Sequence, residues 1–303
     1  MLNVRPRRRT SRSPGASTAE TRQQRVQQRT VRDGFLARYG GAQRPAVAVP
    51  PDAAQVFDVL LAHRSVRRFA TRPLPKGTLD WLVAAAQSAS TSSNLQTWSV
   101  VAVQDQARKQ AVSKLCADQA FIREAPLFLV FTADLARLTE VSTAVGSAAA
   151  GLDYLEMFLM AAIDAALAAQ NVVVAAEALG LGTCYVGAAR NQPAELAALL
   201  GLPPRVVAVF GLAVGRPAPG QEGAVKPRLP QREVLHREVY DASGRAEAVA
   251  EYDRVMREFY TAQRQPVEGS WSQHSAKRVA TVESLRGRDR LTEILRRRGF
   301  ALR

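Results

Sequence analysis

The chain has 303 residues, is 47% hydrophobic and carries a formal net charge of +14, of which residues 1–45, with eleven Arg against Glu20 and Asp33, supply +9, leaving 14 − 9 = +5 for the remainder. A mildly basic body of this length can bury a full core and suits an enzyme of anionic cofactors as well as a polyanion binder, so charge excludes neither. The two cysteines, Cys116 and Cys184, stand in no C-x-x-C or Cys/His pattern, which argues against structural zinc and a disulfide framework.

Residues 1–46 are rich in Arg, Ser, Thr and Gln and poor in aliphatics, the composition of a disordered arm. Three roles fit such an arm: a tether to nucleic acid or an anionic surface, a transit peptide, or an extension with no part in the chemistry. Arg outnumbers Lys 36 to 5 over the whole chain, which weakens any special meaning of Arg in the arm. No apolar h-region follows the Arg-rich start, so no secretory signal is expected.

From Pro51 the pattern becomes regular. Asp52 is placed to cap a helix with Val56, Val59 and Leu60 on one face, and Thr78 to cap a second with Leu79, Leu82, Val83 and Ala86. Strands are expected at 98–103 and 126–133, followed by a long helix over 151–180. That helix carries Asp153, Glu156, Asp164 and Glu177, and its longest uncharged run, 165–176, is too short for a bilayer, which needs about 20 apolar residues. A third strand at TCYVGA, a short helix at AELAALL and a fourth strand at VVAVFGLAVG complete a layered core. The strands are continuous apolar runs, which implies helices on both faces. Two polar helices are expected near 244–262 and 274–297, with no wide apolar face of their own.

Four stretches could carry chemistry. In LAHRSVRRF, His63, Arg64, Ser65, Arg67 and Arg68 offer guanidiniums and a hydroxyl suited to a phosphate, and equally a solvated helix end that complements the dipole. The run SASTSSNLQTWS offers hydroxyls and free backbone N–H groups, or is an ordinary loop. In TCYVGAARN, Gly187 permits close backbone approach to a ligand or simply ends a strand. In KPRLP, prolines could fix Lys226 and Arg228 as an anion clamp, although an exposed basic loop would look the same. No G-x-G-x-x-G after a strand, G-x-x-x-x-G-K-[ST], G-x-S-x-G or H-E-x-x-H occurs.

Together and in this order, LLAHRSVRRF, SASTSSNLQTWS, DAALAAQNVVVAAEALGLGTCYVGAARN, VFGLAVGRPA and KPRLP resemble the nitroreductase family, in particular its oxygen-insensitive NADPH nitroreductase and flavin reductase branch. The resemblance runs from about residue 53 to the C-terminal LRRRGFALR. It implies an α+β, three-layer fold with a central mixed sheet flanked by helices. An FMN-binding core would span 47–225, and a C-terminal loop and helical excursion, 226–303, would pack on the core and a dimer partner. It further implies a cytoplasmic homodimer with FMN at the interface, reduced by NADPH and reoxidised by a nitroaromatic, quinone or flavin in a ping-pong cycle.

By position in the motifs, His63, Arg64, Lys226 and Arg228 are expected at the FMN phosphate, with Ser65, Val66, Ser92 and Ser93 nearby. Arg67 is expected to support the reduced ring electrostatically and Gln119 to bond its pyrimidine edge. The backbone of Tyr185, Val186 and Gly187 is expected behind the ring, and Arg264 at the 2′-phosphate of NADPH. No metal, no membrane and no side-chain general acid are expected. Ala188 and Leu285 depart from the family pattern, where a second Gly and an Arg stand. Two alternatives remain: a reductase of the same fold supplying free reduced flavin to a partner oxygenase, and a nucleic-acid-associated protein acting through its Arg-rich arm.

Overall fold

The computed structural model describes residues 22–41, 48–221 and 223–303. In chain order the elements are α1 (Arg22–Tyr39), α2 (Ala54–Ala62), α3 (Thr78–Gln87), β1 (Trp98–Val103), α4 (Gln106–Leu115), α5 (Ala120–Glu124), β2 (Leu127–Asp134), α6 (Ala136–Ala144), α7 (Leu155–Ala178), β3 (Gly182–Val186), α8 (Pro193–Leu200), β4 (Val206–Gly215), α9 (Arg245–Ala262), α10 (Trp271–Arg278) and α11 (Leu291–Arg297).

The four strands form one sheet in the order β1-β2-β4-β3, antiparallel throughout. The expected mixed character is confined to an isolated parallel bridge between Ser65 and Thr183, where the segment after α2 runs beside β3. Every residue of β2 is buried. Its alternate side chains feed two cores: Leu127, Leu129 and Phe131 meet α3 and α7, and Phe128 and Val130 meet Val112, Ile122 and Leu196 of α4, α5 and α8. The result is three layers, helix on sheet on helix. By length and composition α7 could cross a membrane. Here it is the central core helix, with Asp164, Ala165, Ala168, Val172 and Val173 among its buried residues.

Three sequence expectations are corrected. Residues 22–39, read as part of a disordered arm, form α1 and pack on α2; residues 1–21 and 42–47 lie outside the described residues. The packing is close, since a Cβ on Gly34 would lie 2.9 Å from Leu61 Cβ. The helix caps differ too. Asp52 sits inside a 3-10 turn, Pro51–Ala53, and Gly77, with φ 84°, takes the N-cap position ahead of Thr78; neither cap makes a side-chain hydrogen bond. Finally, the helix expected over 274–297 is divided, because Arg286 and Gly287 adopt left-handed φ of 56° and 83° between α10 and α11.

The sheet sets a geometric limit. Ser65 lies at the β3 edge, where Thr183 is level with Val214 and so with Leu127. Trp98, which opens β1 at the other edge, is level with Ala133 at the far end of β2. About 20 Å of strand and four strand spacings of about 4.8 Å each, the last from β3 to the Ser65 segment, therefore separate the basic segment from the hydroxyl-rich loop.

Candidate cofactor site

The basic segment begins where α2 stops. His63, with φ −52° and ψ 133°, turns the chain out of the helix, and Val66 N donates to Thr183 O at 2.9 Å. Val66 is 2% exposed and lies so close to β3 that a Cβ on Gly182 would fall 2.5 Å from its Cγ2. Extended backbone alternates its side chains, so fixing Val66 inward turns its neighbours Ser65 and Arg67 to the opposite side. His63 Nδ1 pairs with Glu177 Oε1 at 2.7 Å, and Thr183 Oγ1 donates to the same oxygen at 3.2 Å. Glu177 at the end of α7 thus joins the histidine to β3.

The KPRLP loop arrives beside this segment. Tyr252 of α9 donates to Pro227 O at 2.9 Å, and Arg228 N donates to Arg38 O at 2.9 Å. The Lys226 ammonium lies 5.7 Å from the centre of the Tyr260 ring. Its pKa is lowered, by burial first and then by repulsion from Arg67 and Arg228. Among the described residues, no carboxylate lies within 4 Å of Arg67, Lys226 or Arg228. Cations gathered around Lys226 without a counter-ion form a place for an anion.

His63 and Arg228 line one cavity of about 220 Å³, together with Arg38, Tyr39 and Glu177. Arg64 departs from this grouping: it donates to Ala62 O at 3.0 Å and lines a second cavity with Asp58, Gly180 and Pro217. Glu177 borders both cavities.

The hydroxyl-rich loop is held from beneath by a buried carboxylate. Asp164 of α7, 2% exposed, accepts from Thr91 Oγ1 at 2.6 Å, Ser92 N at 3.2 Å, Thr97 N at 3.2 Å and Thr97 Oγ1 at 3.1 Å. Ser93, Asn94 and Gln96 adopt left-handed φ of 49°, 55° and 52°, a conformation that non-glycine residues hold only when the surroundings impose it. Asp164 holds this loop and Glu177 holds His63, and the helix between them rises about 20 Å. Ser92 and Ser93 are therefore not brought to the basic segment of the same chain.

The remaining candidates are dispersed. Gln119 caps α5 and donates from Nε2 to Cys116 O at 2.8 Å, leaving its amide oxygen uncommitted in that bond. Tyr185 and Val186 end β3, and Gly187 opens a 3-10 turn that includes Ala188. A Cβ on Gly187 would meet only Arg190, at 3.5 Å, so the chain's own packing has room for a side chain there. Arg264 follows α9 with φ 51°, and Leu285 closes the 3-10 turn Glu283–Leu285 before left-handed Arg286. Sequence reasoning missed Arg38, Asp164 and Glu177 as organising residues. For the last two a signal existed: each is a carboxylate inside the most apolar helix, where it needs a partner.

A model described as the nitroreductase family matches residues 60–216, and one for the C-terminal domain of that family matches 226–303. The chain is 35% identical over 247 residues to the FMN reductase (NADPH) of Bacillus subtilis (strain 168), covering 80% of this chain and 97% of that protein. It superposes on B. megaterium NfrA2 with a TM-score of 0.77 at 34% identity, covering 82% and 99% of the two chains. With the NADPH:FMN oxidoreductase of Vibrio harveyi, solved in complex with NAD+, the TM-score is 0.73 at 32% identity, covering 82% and 100%. The family match begins at residue 60, so α1 lies outside it.

Proposed function

Since this chain belongs to the nitroreductase family, we propose that it is an FMN-dependent oxidoreductase passing electrons from NADPH to a small-molecule acceptor. The observation that carries the reading is the set of cations without a counter-ion, Arg67, Lys226 and Arg228, beside His63. Such a set fits a phosphate and, next to it, a ring that gains negative charge. When bound, FMN supplies the hydride and electron chemistry, and the protein supplies binding, orientation and electrostatics.

The residues divide that work. His63, Lys226 and Arg228 hold the phosphate, with Ser65 adding a neutral bond. Arg64, directed into the neighbouring cavity, joins them only by a change of rotamer. Arg67 is a cation that favours electron uptake. Gln119 contributes its free amide oxygen, and the Tyr185–Gly187 backbone forms a wall whose glycine leaves room for a ligand. Arg264 reads the 2′-phosphate of NADPH. No side chain is assigned as general acid. Acceptors are nitroaromatics, quinones or free flavin, and the relatives' names, FMN reductase (NADPH) and NADPH-flavin oxidoreductase, favour flavin among them. The nucleic-acid reading finds no support in the comparisons.

We place the protein in the cytoplasm as a homodimer. Ser92 and Ser93 stand at the sheet corner opposite Ser65 and Arg67, so one chain cannot apply both to one ligand, whereas a second copy can supply the missing loop. An apolar stripe for such a contact exists on α7, where Leu155, Leu159, Ile163 and Leu167, one turn apart, are 46%, 47%, 58% and 44% exposed.

The purified protein is expected to be yellow and to release FMN on denaturation; a colourless protein that takes up no added FMN overturns the reading. Arg228→Ala is expected to weaken FMN binding roughly tenfold to a hundredfold, the worth of one charge-assisted bond. Turnover with nitrofurazone against turnover with free FMN ranks the acceptors.

A further inference from the structure

We propose that Arg38, in the helix outside the family match, is a positioning residue that locks the two cationic loops in register and so gives the site its preference for a phosphorylated flavin. The inference rests on the reading of those loops as the holder of the flavin phosphate.

Arg38 lies in the last turn of α1 and is 5% exposed. Its Nε donates to Leu61 O at 3.2 Å, in the last turn of α2, and one Nη to the carbonyl of His63 just beyond it; the other Nη donates to Lys226 O at 2.9 Å. Its own carbonyl accepts from Arg228 N at 2.9 Å. One residue thus bonds the backbone at His63, Lys226 and Arg228. Lys226 and Arg228 are cations that lie beside Arg67 of the first segment, and segments that bring such charges together need such a tie.

The side-chain chemistry matches this role. Among the described residues, no carboxylate lies within 4 Å of the guanidinium. Burying it is costly unless its donors are used, and three of them go to carbonyls of two segments, the end of α2 with His63 and the KPRLP loop, more than 160 positions apart in sequence. The planar fork of arginine spans such a set, whereas an ammonium is a compact point charge that cannot reproduce it. Arg38 also lines the cavity shared by His63 and Arg228, so its remaining N–H groups add to the positive field there. Tyr252, donating to Pro227 O, steadies only the second loop; Arg38 alone among these ties joins both.

The test separates phosphate recognition from general stability. Full-length apoprotein is titrated with FMN and with riboflavin, which lacks the phosphate, following quenching of flavin fluorescence, for the wild type, Arg38→Met, Arg38→Lys and Arg228→Ala. Arg38→Met is expected to weaken FMN about tenfold while riboflavin changes little, and Arg38→Lys to recover only part of the loss. A wild-type FMN-to-riboflavin ratio in Arg38→Met, with the ratio collapsed in Arg228→Ala, overturns the role of Arg38 and leaves the phosphate reading standing. Ratios unchanged in both variants overturn the phosphate reading and the inference with it. Should Arg38→Met not melt cooperatively, Arg38→Gln, which keeps one donor but not the fork, carries the same comparison under the same criteria.

Discussion

Asp164 concentrates three accepted bonds on Oδ2, from Thr91 Oγ1, Thr97 N and Thr97 Oγ1, and one on Oδ1, from Ser92 N. An asparagine has one acceptor oxygen, so Asp164→Asn leaves buried donors facing an NH₂ group. The expected cost is about 1 to 3 kcal/mol, read as a lower urea midpoint, with looser placement of Ser92 and Ser93. The cysteines make a pH-dependent prediction. Burial pushes the Cys116 thiol up to about 12 and raises that of Cys184, the latter opposed by Arg67 and Ser65. A thiol with a raised folded pKa stays neutral in the native protein, and its contribution to stability is complete below the unfolded value of about 8.5. Stability is therefore expected to fall as pH rises from about 8.5 towards 12, and both thiols should resist a disulfide reagent at pH 8 until the protein unfolds. For Arg264→Ala, kcat/KM is expected to fall with NADPH and hold with NADH; equal losses would remove its assignment to the 2′-phosphate.

At the scale of elements, the buried parts were the most legible. The runs at 127–134 and 206–215 are strands with both faces largely covered, and such runs remain recognisable without knowledge of the partners. The edges of the fold were less so. The Gln- and Arg-rich start of α1 hides the Val31, Phe35 and Tyr39 positions, spaced four apart, that one helix face requires. The break between α10 and α11 depends on left-handed Arg286, a residue type that does not announce that conformation. Within the site, the basic segments could be read as candidates, but the ties of Arg38 and Glu177 depend on backbone carbonyls and side chains far away in sequence. The seat of the basic segment makes a prediction of its own. In Gly182→Ala the new Cβ would meet Val66, whose N–H is already bonded to β3 and cannot retreat freely. A loss of about 1 to 3 kcal/mol in stability is expected, and FMN affinity should fall with it because Ser65 and Arg67 share that segment.

At the scale of the molecule, the exposed stripe of α7 and the opposite-corner placement of the two loops bear on one proposal. Ile163→Asp puts a charge into the stripe. It is expected to give a monomer in light scattering and to lower FMN occupancy, because each chain would then lack the loop supplied by the other; a monomer that keeps full FMN occupancy would refute the shared site.

The separation of those loops also has a consequence for inheritance of defects. Consider one dimer carrying Arg228→Ala on both chains and another carrying a disruptive substitution in the Ser92–Ser93 turn on both. Each alone has two damaged sites. After unfolding and random reassociation, a hybrid concentrates both lesions in one site and leaves the other intact. Assayed at an FMN concentration too low to fill the damaged sites, the two preparations are therefore expected to complement each other, recovering about a quarter of wild-type activity from a 1:1 mixture. A site built within one chain would recover none.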